Sequence, residues 1–396
     1  MMPATLHVLL RRRALAPSSR MLAVALTTVA ALLPSQLHAQ GTISGLGFGN
    51  PINGMSTRSS GTAGAFVEFD ALTPINPSAI GGLSRTVLSA QVEPEHRTLS
   101  LGALREKTSS QRIPVLMVAF PARRGVAVAF SARGFLDRSY TTTTTGSAVI
   151  DGRTLPTSEV LTMRGAIGDI RGAVGWQINP KFRVGLGGHI FTGDNTAARE
   201  RTFADTLRFG STLDSSKVTY IGTAISIGGE AQLFKGVSAT LSYRVGNGLD
   251  ARIRDTTRAS GSVPARLGGA LRYDGIPGSV FTVGFEQVKW SDMQGMSSSR
   301  TIAHDAQNVY AGAEVAGPRL RGYPVMVRAG YARNQLPFSI SAEQVKETRF
   351  GGGVGIPIGR DAASIDFSIQ RANRVLNGSL AKESAWLFGA GIQIRP

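Results

Sequence analysis

The C-terminal stretch alternates between apolar residues and small or polar ones. Trp386, Phe388, Ala390, Ile392 and Ile394 hold one parity, and Leu387, Gly389, Gly391, Gln393 and Arg395 the other. Successive side chains on a strand face opposite sides, so this is a strand with one apolar face and one Gly-rich or polar face. Reading from Ser84, fourteen segments carry the pattern. They lie near 84–94, 111–120, 124–134, 162–178, 181–192, 216–233, 236–247, 263–273, 279–291, 304–315, 323–334, 345–357, 362–374 and 383–395. In the fifth, Phe182, Val184, Leu186 and Ile190 oppose Arg183, Gly185, Gly187 and His189. In the seventh, Leu241, Tyr243 and Val245 oppose Ser242 and Arg244. In the thirteenth, Ile365, Phe367 and Ile369 oppose Asp366, Ser368 and Gln370. One such segment is a weak signal, but a long series of them describes a transmembrane barrel.

The connections add independent support. Short turns at Asn179-Pro180, Lys235-Gly236, Gly275–Gly278, Gly317–Gly322 and Pro357–Asp361 alternate with long polar segments, among them Thr141–Thr145 and Ser297–Ser299. Barrels in the outer membrane have this rhythm of short periplasmic turns and long outer loops. A soluble sandwich or propeller does not predict it, and no blade-like repeat is visible. Aromatic girdles are expected at Trp176, Phe182, Phe234 and Tyr273 on the turn side, and at Tyr220, Trp290 and Trp386 on the loop side. Residues 84–396 are therefore predicted to form an all-β antiparallel barrel of about 14 strands.

Targeting agrees with this. Arg11, Arg12, Arg13 and Arg20 precede an apolar run from Met21 to Leu33, and Leu37-His38-Ala39 is a cleavage site before Gln40. Residues 1–39 are read as a cleaved signal peptide, too short in its apolar part for a membrane anchor. With 17% charged residues and a mean hydropathy of +0.02, the chain is too polar for a helical membrane bundle. The expected location is the outer membrane. Its partners there are outer-membrane lipids and lipopolysaccharide, with the barrel-assembly machinery acting on the folding chain. The net charge of +17 carries no interleaved basic and aromatic residues, so it points to anionic headgroups and a basic lumen rather than to nucleic acid.

The chemistry of an enzyme is missing. There is no Cys, which removes thiolate catalysis, disulfides and Cys-ligated metals. Of the five His, His7 and His38 leave with the signal. His96 and His304 fall near loop ends and His189 faces the lumen, with no Gly-x-Ser-x-Gly elbow and no His-x-x-His spacing. The chain is read as a non-enzyme with no cofactor and no metal. Parity places Arg133, Arg171, Arg183, Arg244, Arg328 and Arg349 in the lumen, together with Asp169, Glu286, Glu314 and Asp366. Lipid-facing charge costs ~2–4 kcal/mol near the midplane, so inward placement follows from physics. These groups form either an ion-paired lining or a path whose guanidinium groups attract an anion.

Residues 40–83 do not alternate. They contain Gly61, Gly64 and Ala65, then Asp70-Ala71, then Asn76-Pro77 followed by Ser78, Ala79 and Ile80. This Gly/Ala-rich stretch, with an acidic-Ala step and an Asn-Pro element before the first strand, resembles the FadL-like superfamily. That superfamily groups the outer-membrane long-chain fatty-acid transporters with the PorV-like secretion barrels. Ser78 stands where the family usually has Ala, and Phe69-Asp70 replaces its usual pair of acids. The resemblance implies a hatch inside the barrel, with Gly61, Gly64, Asp70, Asn76 and Pro77 as its marked residues. It implies transport of a hydrophobic or amphipathic small-molecule ligand, or alternatively a role in protein secretion or surface attachment. For an amphipathic anion, Arg183, Arg244 and Arg328 are the candidate ligand-binding residues, since a fixed guanidinium orients a carboxylate through paired hydrogen bonds.

Overall fold

The computed structural model describes residues 48–101, 104–150, 153–204, 210–296, 301–320, 322–339, 343–359, 362–376 and 381–396. The segment read as a signal peptide lies outside these residues, as do residues 40–47 and the Ser run at 297–299. Fourteen strands are present where the alternation places them. The first five are β1 Val87–Leu101, β2 Leu104–Arg112 continued by Val115–Arg123, β3 Val126–Asp137 continued by Tyr140–Ile150, β4 Arg153–Asn179 and β5 Phe182–Phe203. Next come β6 Thr212–Phe234, β7 Val237–Ile253, β8 Thr256–Ser262 continued by Arg266–Tyr273, β9 Ser279–Val288 and β10 Ala306–Leu320. The last four are β11 Tyr323–Gln335, β12 Lys346–Ile358, β13 Ala363–Leu376 and β14 Ala381–Ile394. Each is antiparallel to its neighbour in sequence. β14 pairs with β1 from Leu88↔Ile394 to Leu101↔Ala381, which closes the cylinder and leaves no edge unpaired.

Short turns lie at one end, for example Lys235-Gly236, where Gly236 takes a φ of +78° that a side chain would oppose. At the other end the strands run on well past what a membrane requires. β4 has 27 residues and β6 has 23, against the ~9–11 that span a bilayer. This overturns one expectation. Thr141–Thr145 is not a loop but part of β3, paired with β4 from Thr141↔Thr162 to Thr145↔Ser158. Thr is β-branched and suits a pleated surface, so a polar run rich in it extends a hairpin rather than ending one.

The outer wall shows the apolar parity. Leu186, Ile190, Leu241, Phe367 and Phe388 are all exposed, while His189, Ser242, Asp366 and Gln393 between or beside them are buried inside. Among the turn-side girdle residues, Trp176, Phe182, Phe234 and Tyr273 are exposed outward, and so is Trp386 at the loop end. Tyr220 and Trp290 are not part of the girdle. They are 3% and 6% exposed and point into the mouth of the barrel. There they join Phe48, Phe135, Leu136, Phe191, Leu249, Met293 and Phe338 in one apolar cluster. A register shift between Gly134 and Leu136 lets consecutive residues of β3, Phe135 and Leu136, both bury in that cluster. The connections after β9 and β11 cover it, through a turn of 3-10 helix at Trp290–Met296 and a bridge of Ile302–Ala303 with Phe338–Ser339.

The wall parity has a direct check. Phe388→Arg should destabilise the folded barrel by roughly 2–4 kcal/mol, because it places a cation among lipid chains. Gln393→Arg, on the inner face of the same strand, should cost little. Urea midpoints of the barrel refolded into lipid decide this, and equal effects would refute the assignment of faces.

Candidate functional site

Residues 48–83 lie inside the barrel. Asn50–Pro51 pairs with β3, a short helix α1 spans Thr57–Gly61, and a 3-10 helix spans Pro77–Gly82. The wall admits this segment through glycines. A side chain on Gly185 of β5 would meet the backbone of Pro77, one on Gly330 of β11 the carbonyl of Thr62, and one on Gly353 of β12 the Cα of Gly61. Contacts with strands on opposite sides of the cylinder place the segment across the lumen.

Each marked residue of the segment has a physical task. Ser56 caps α1, its hydroxyl accepting from Ser59 N at 3.0 Å. The buried Asp70 carboxylate accepts hydrogen bonds from the Ser56, Ser59 and Thr73 hydroxyls and from Leu72 N. Asn76 caps the 3-10 helix through Ser78 N at 3.0 Å, and its Nδ2 donates to the Glu68 carbonyl at 2.8 Å and to Thr240 Oγ1 at 2.7 Å. One amide therefore joins the fold of the segment to β7. Pro77, which lacks a backbone N–H, starts the 3-10 helix. Gly61 makes the close approach to Gly353, and Gly64 sits at φ +98° against the Tyr310 ring.

Ion pairs hold the segment to the wall. Glu68 accepts from Arg266 Nη2 at 2.5 Å and from Ser242 Oγ at 2.8 Å, and Arg58 donates to Glu314 at 2.5 and 3.0 Å. Of these four charged residues, Glu314 is placed in the lumen by the sequence pattern, while Glu68, Arg58 and Arg266 are not singled out there. Parity marks Arg266 as inward but says nothing of Glu68, which lies in a stretch without a period. A second network lines the loop end. Glu95 pairs with Arg97 and Arg112, and Glu347 pairs with Arg349 and Arg374.

The three candidate arginines have different surroundings. Arg328 is committed to two carboxylates, Glu314 at 2.6 Å and Asp366. Arg183 pairs with Glu230 at 3.0 Å. Arg244 has no carboxylate within ion-pair distance among the described residues, Asp169 and Glu286 lying farther off. Its Nη2 donates to the Pro264 carbonyl at 3.1 Å, its Nε finds no protein acceptor, and the guanidinium lies 5.3 Å from the Phe191 ring and 5.8 Å from that of Phe135. Arg171, 2% exposed, likewise has Nε and Nη1 without a protein acceptor. Beside these two, Asp169 accepts from Arg133 at 2.9 Å and pairs with His189 Nδ1 at 2.9 Å. His189 Nε2 in turn meets Ser226 Oγ at 2.9 Å. The Ser226 hydroxyl is sealed in the wall at 2% exposure, so this trio works as a pinned polar layer.

Two cavities flank the segment. The one toward the loops, about 90 Å³, is lined by Ile52, Met55, Phe135, Arg244, Trp290 and Tyr310 among others. The one toward the turns, about 500 Å³, is lined by Arg58, Phe69, Leu72, Leu83, Arg328 and Asp366 among others. Residues of the segment line both.

No protein-family model matches the chain, and no curated sequence is similar to it. Solved structures share its fold. A FadL homologue of Pseudomonas aeruginosa is 11% identical with a TM-score of 0.61, over 89% of this chain and 100% of that one. The monoaromatic hydrocarbon channel CymD is 14% identical with a TM-score of 0.53, over 87% and 98%. The toluene transporter TodX of Pseudomonas putida is 11% identical with a TM-score of 0.53, over 86% and 98%. The chain therefore has the fold of the FadL-like barrels.

Proposed function

We propose that the chain is an outer-membrane channel for hydrophobic small molecules, and that its preferred cargo is an amphipathic anion of the long-chain fatty-acid kind. The outward belt of exposed apolar side chains supports the membrane location. Proteins of this fold described as hydrocarbon and toluene channels support the substrate class. In this reading residues 48–83 are the hatch that cargo passes.

The observation that carries the finer reading is Arg244. It is buried, lies within ion-pair distance of no carboxylate among the described residues, and stands over two phenyl rings at the edge of a cavity that Phe135, Trp290 and Tyr310 line together with Arg266 and Glu286. A buried cation with no carboxylate in direct contact favours a carboxylate more than a solvated one does, and the rings beside it suit an alkyl chain. Arg183 and Arg328 are neutralised by their own partners and serve the wall instead. The apolar mouth also favours transport over the alternative role in protein secretion or surface attachment.

Reconstituted in liposomes, the protein should speed uptake of a labelled long-chain fatty acid and of a neutral hydrocarbon. Arg244→Met should slow the fatty acid about tenfold, the size of a lost charge-assisted hydrogen bond, and leave the hydrocarbon unchanged. Equal slowing of both would remove the carboxylate preference. Uptake of neither above empty liposomes would end the transport reading in favour of secretion or attachment.

A further inference from the structure

On the outward face between β11 and β2, the wall changes character in rows toward the loop end. Ala329, Gly352, Ile369 and Phe388 form an apolar row. The next outward row is Tyr331, Phe350, Arg371, Trp386 and His96, with the Arg371 guanidinium 4.8 Å from the Trp386 ring. Beyond it come Arg333, Thr348, Asn373, Ser384, Thr98 and Lys107, and then Lys346, Val375, Lys382, Ser100 and Arg105. In the last row a cation recurs on every second strand, about every 10 Å. Arg105, Lys107, Arg333, Lys346 and Lys382 are exposed, and Arg371 is half-buried against Trp386. Among the described residues none of these six makes an ion pair, while the carboxylates Glu95, Glu347 and Glu383 of the same strands are buried inside. Four basic residues of the opposite half differ. Arg199 and Arg201 share Glu159, Lys217 pairs with Asp194, and Arg252 pairs with Asp250.

We propose that this face docks a phosphorylated glycolipid of the outer leaflet, the diphosphorylated lipid A part of lipopolysaccharide. Its acyl chains would lie on Ile369 and Phe388 and its phosphates among Arg333, Lys346, Arg371 and Lys382. This rests on the reading that the barrel spans the outer membrane with its loop end outside. The aromatic row marks the membrane interface. On strands tilted by ~40°, the two basic rows stand roughly 5 and 10 Å above it, at the depth of headgroup phosphates. Guanidinium and ammonium groups bind phosphate oxygens by charge-assisted hydrogen bonds. Several fixed cations at this spacing suit a rigid headgroup with two phosphates better than a singly charged one.

The test uses the full-length barrel in detergent and labelled diphosphoryl lipid A. Phosphate-free lipid A and phosphatidylglycerol should compete at least tenfold more weakly than unlabelled diphosphoryl lipid A. Replacing Arg333, Lys346, Arg371 and Lys382 together by Gln should weaken binding at least tenfold. The single changes Arg371→Gln and Lys382→Gln, which guard against misfolding of the fourfold variant, should each weaken it about threefold. Arg199→Gln with Arg201→Gln should change it less than twofold. Unchanged binding in the face variants, an equal loss in the opposite-half variant, or equal competition by phosphatidylglycerol would overturn the proposal. Hydrocarbon uptake into liposomes should be unaffected by the fourfold change, so failure here and failure of the transport reading are separable.

Discussion

Glu68→Ala should lower the unfolding free energy of the barrel by about 3–5 kcal/mol, the usual cost of removing one member of a buried ion pair. Glu68 is 1% exposed and holds Arg266, itself 5% exposed, at 2.5 Å. Without the carboxylate, Arg266 keeps Glu286 at 2.9 Å as its remaining anionic partner, and Ser242 loses its acceptor. The contact joins positions 198 apart in sequence, so its loss also removes one of the ties between the segment and the wall. Thermal shift of the purified barrel would show the loss, and protease sensitivity between Met55 and Gly82 should rise with it. A variant as stable as the parent would mean that the pair contributes nothing net, as some buried pairs do.

Gly185→Val should have an effect of similar size by a different route. A Cβ at Gly185 would sit 2.2 Å from the Pro77 carbonyl carbon and 2.3 Å from its oxygen. Both sides of that contact are backbone, one in the wall and one in the 3-10 helix, so no rotamer change relieves it. Either the segment leaves β5 or the wall distorts, and overpacking of this kind costs ~1–3 kcal/mol or more. Gly188→Val is the matched control three residues along the same strand, where nothing lies within 4 Å and the residue is exposed. The first change should lower the unfolding midpoint and expose the segment to protease, and the second should do neither. Equal behaviour of the two would argue that Pro77 does not lie against the wall.

Much of the barrel is legible in the sequence, because lipid is an unforgiving solvent. Outward positions such as Leu241, Phe367 and Phe388 must be apolar, and a period of two in the backbone then fixes what faces in. The same logic places Arg328 and Glu314 inside. It does not say that they face each other across β10 and β11, since strand register is set by turns and bulges. Tyr220 and Trp290 show where the reasoning fails. An aromatic residue near a loop end serves equally well in an outer girdle or in an apolar mouth, and only the fold distinguishes them. The Gly/Ala-rich stretch and Asn76-Pro77 are visible as motifs, but the anchor at Glu68 is not, because its partners Arg266 and Ser242 come from strands far along the chain. Arg244 differs from Arg183 and Arg328 only in what surrounds it, and parity treats the three alike.

In the proposed function, cargo passes through the lumen by way of the segment that crosses it. The chain has no Cys, so a single engineered disulfide can test this cleanly. A Cβ on Gly391 of β14 would stand 3.2 Å from the Cβ of Thr57 in α1, within a few tenths of an ångström of the ~3.5–4.5 Å that a disulfide spans. Liposomes carrying the Thr57→Cys, Gly391→Cys protein should take up labelled hydrocarbon at the rate of empty liposomes when oxidised, and at the parent rate after reduction. Uptake at the same rate in both states would contradict passage through the lumen past this segment.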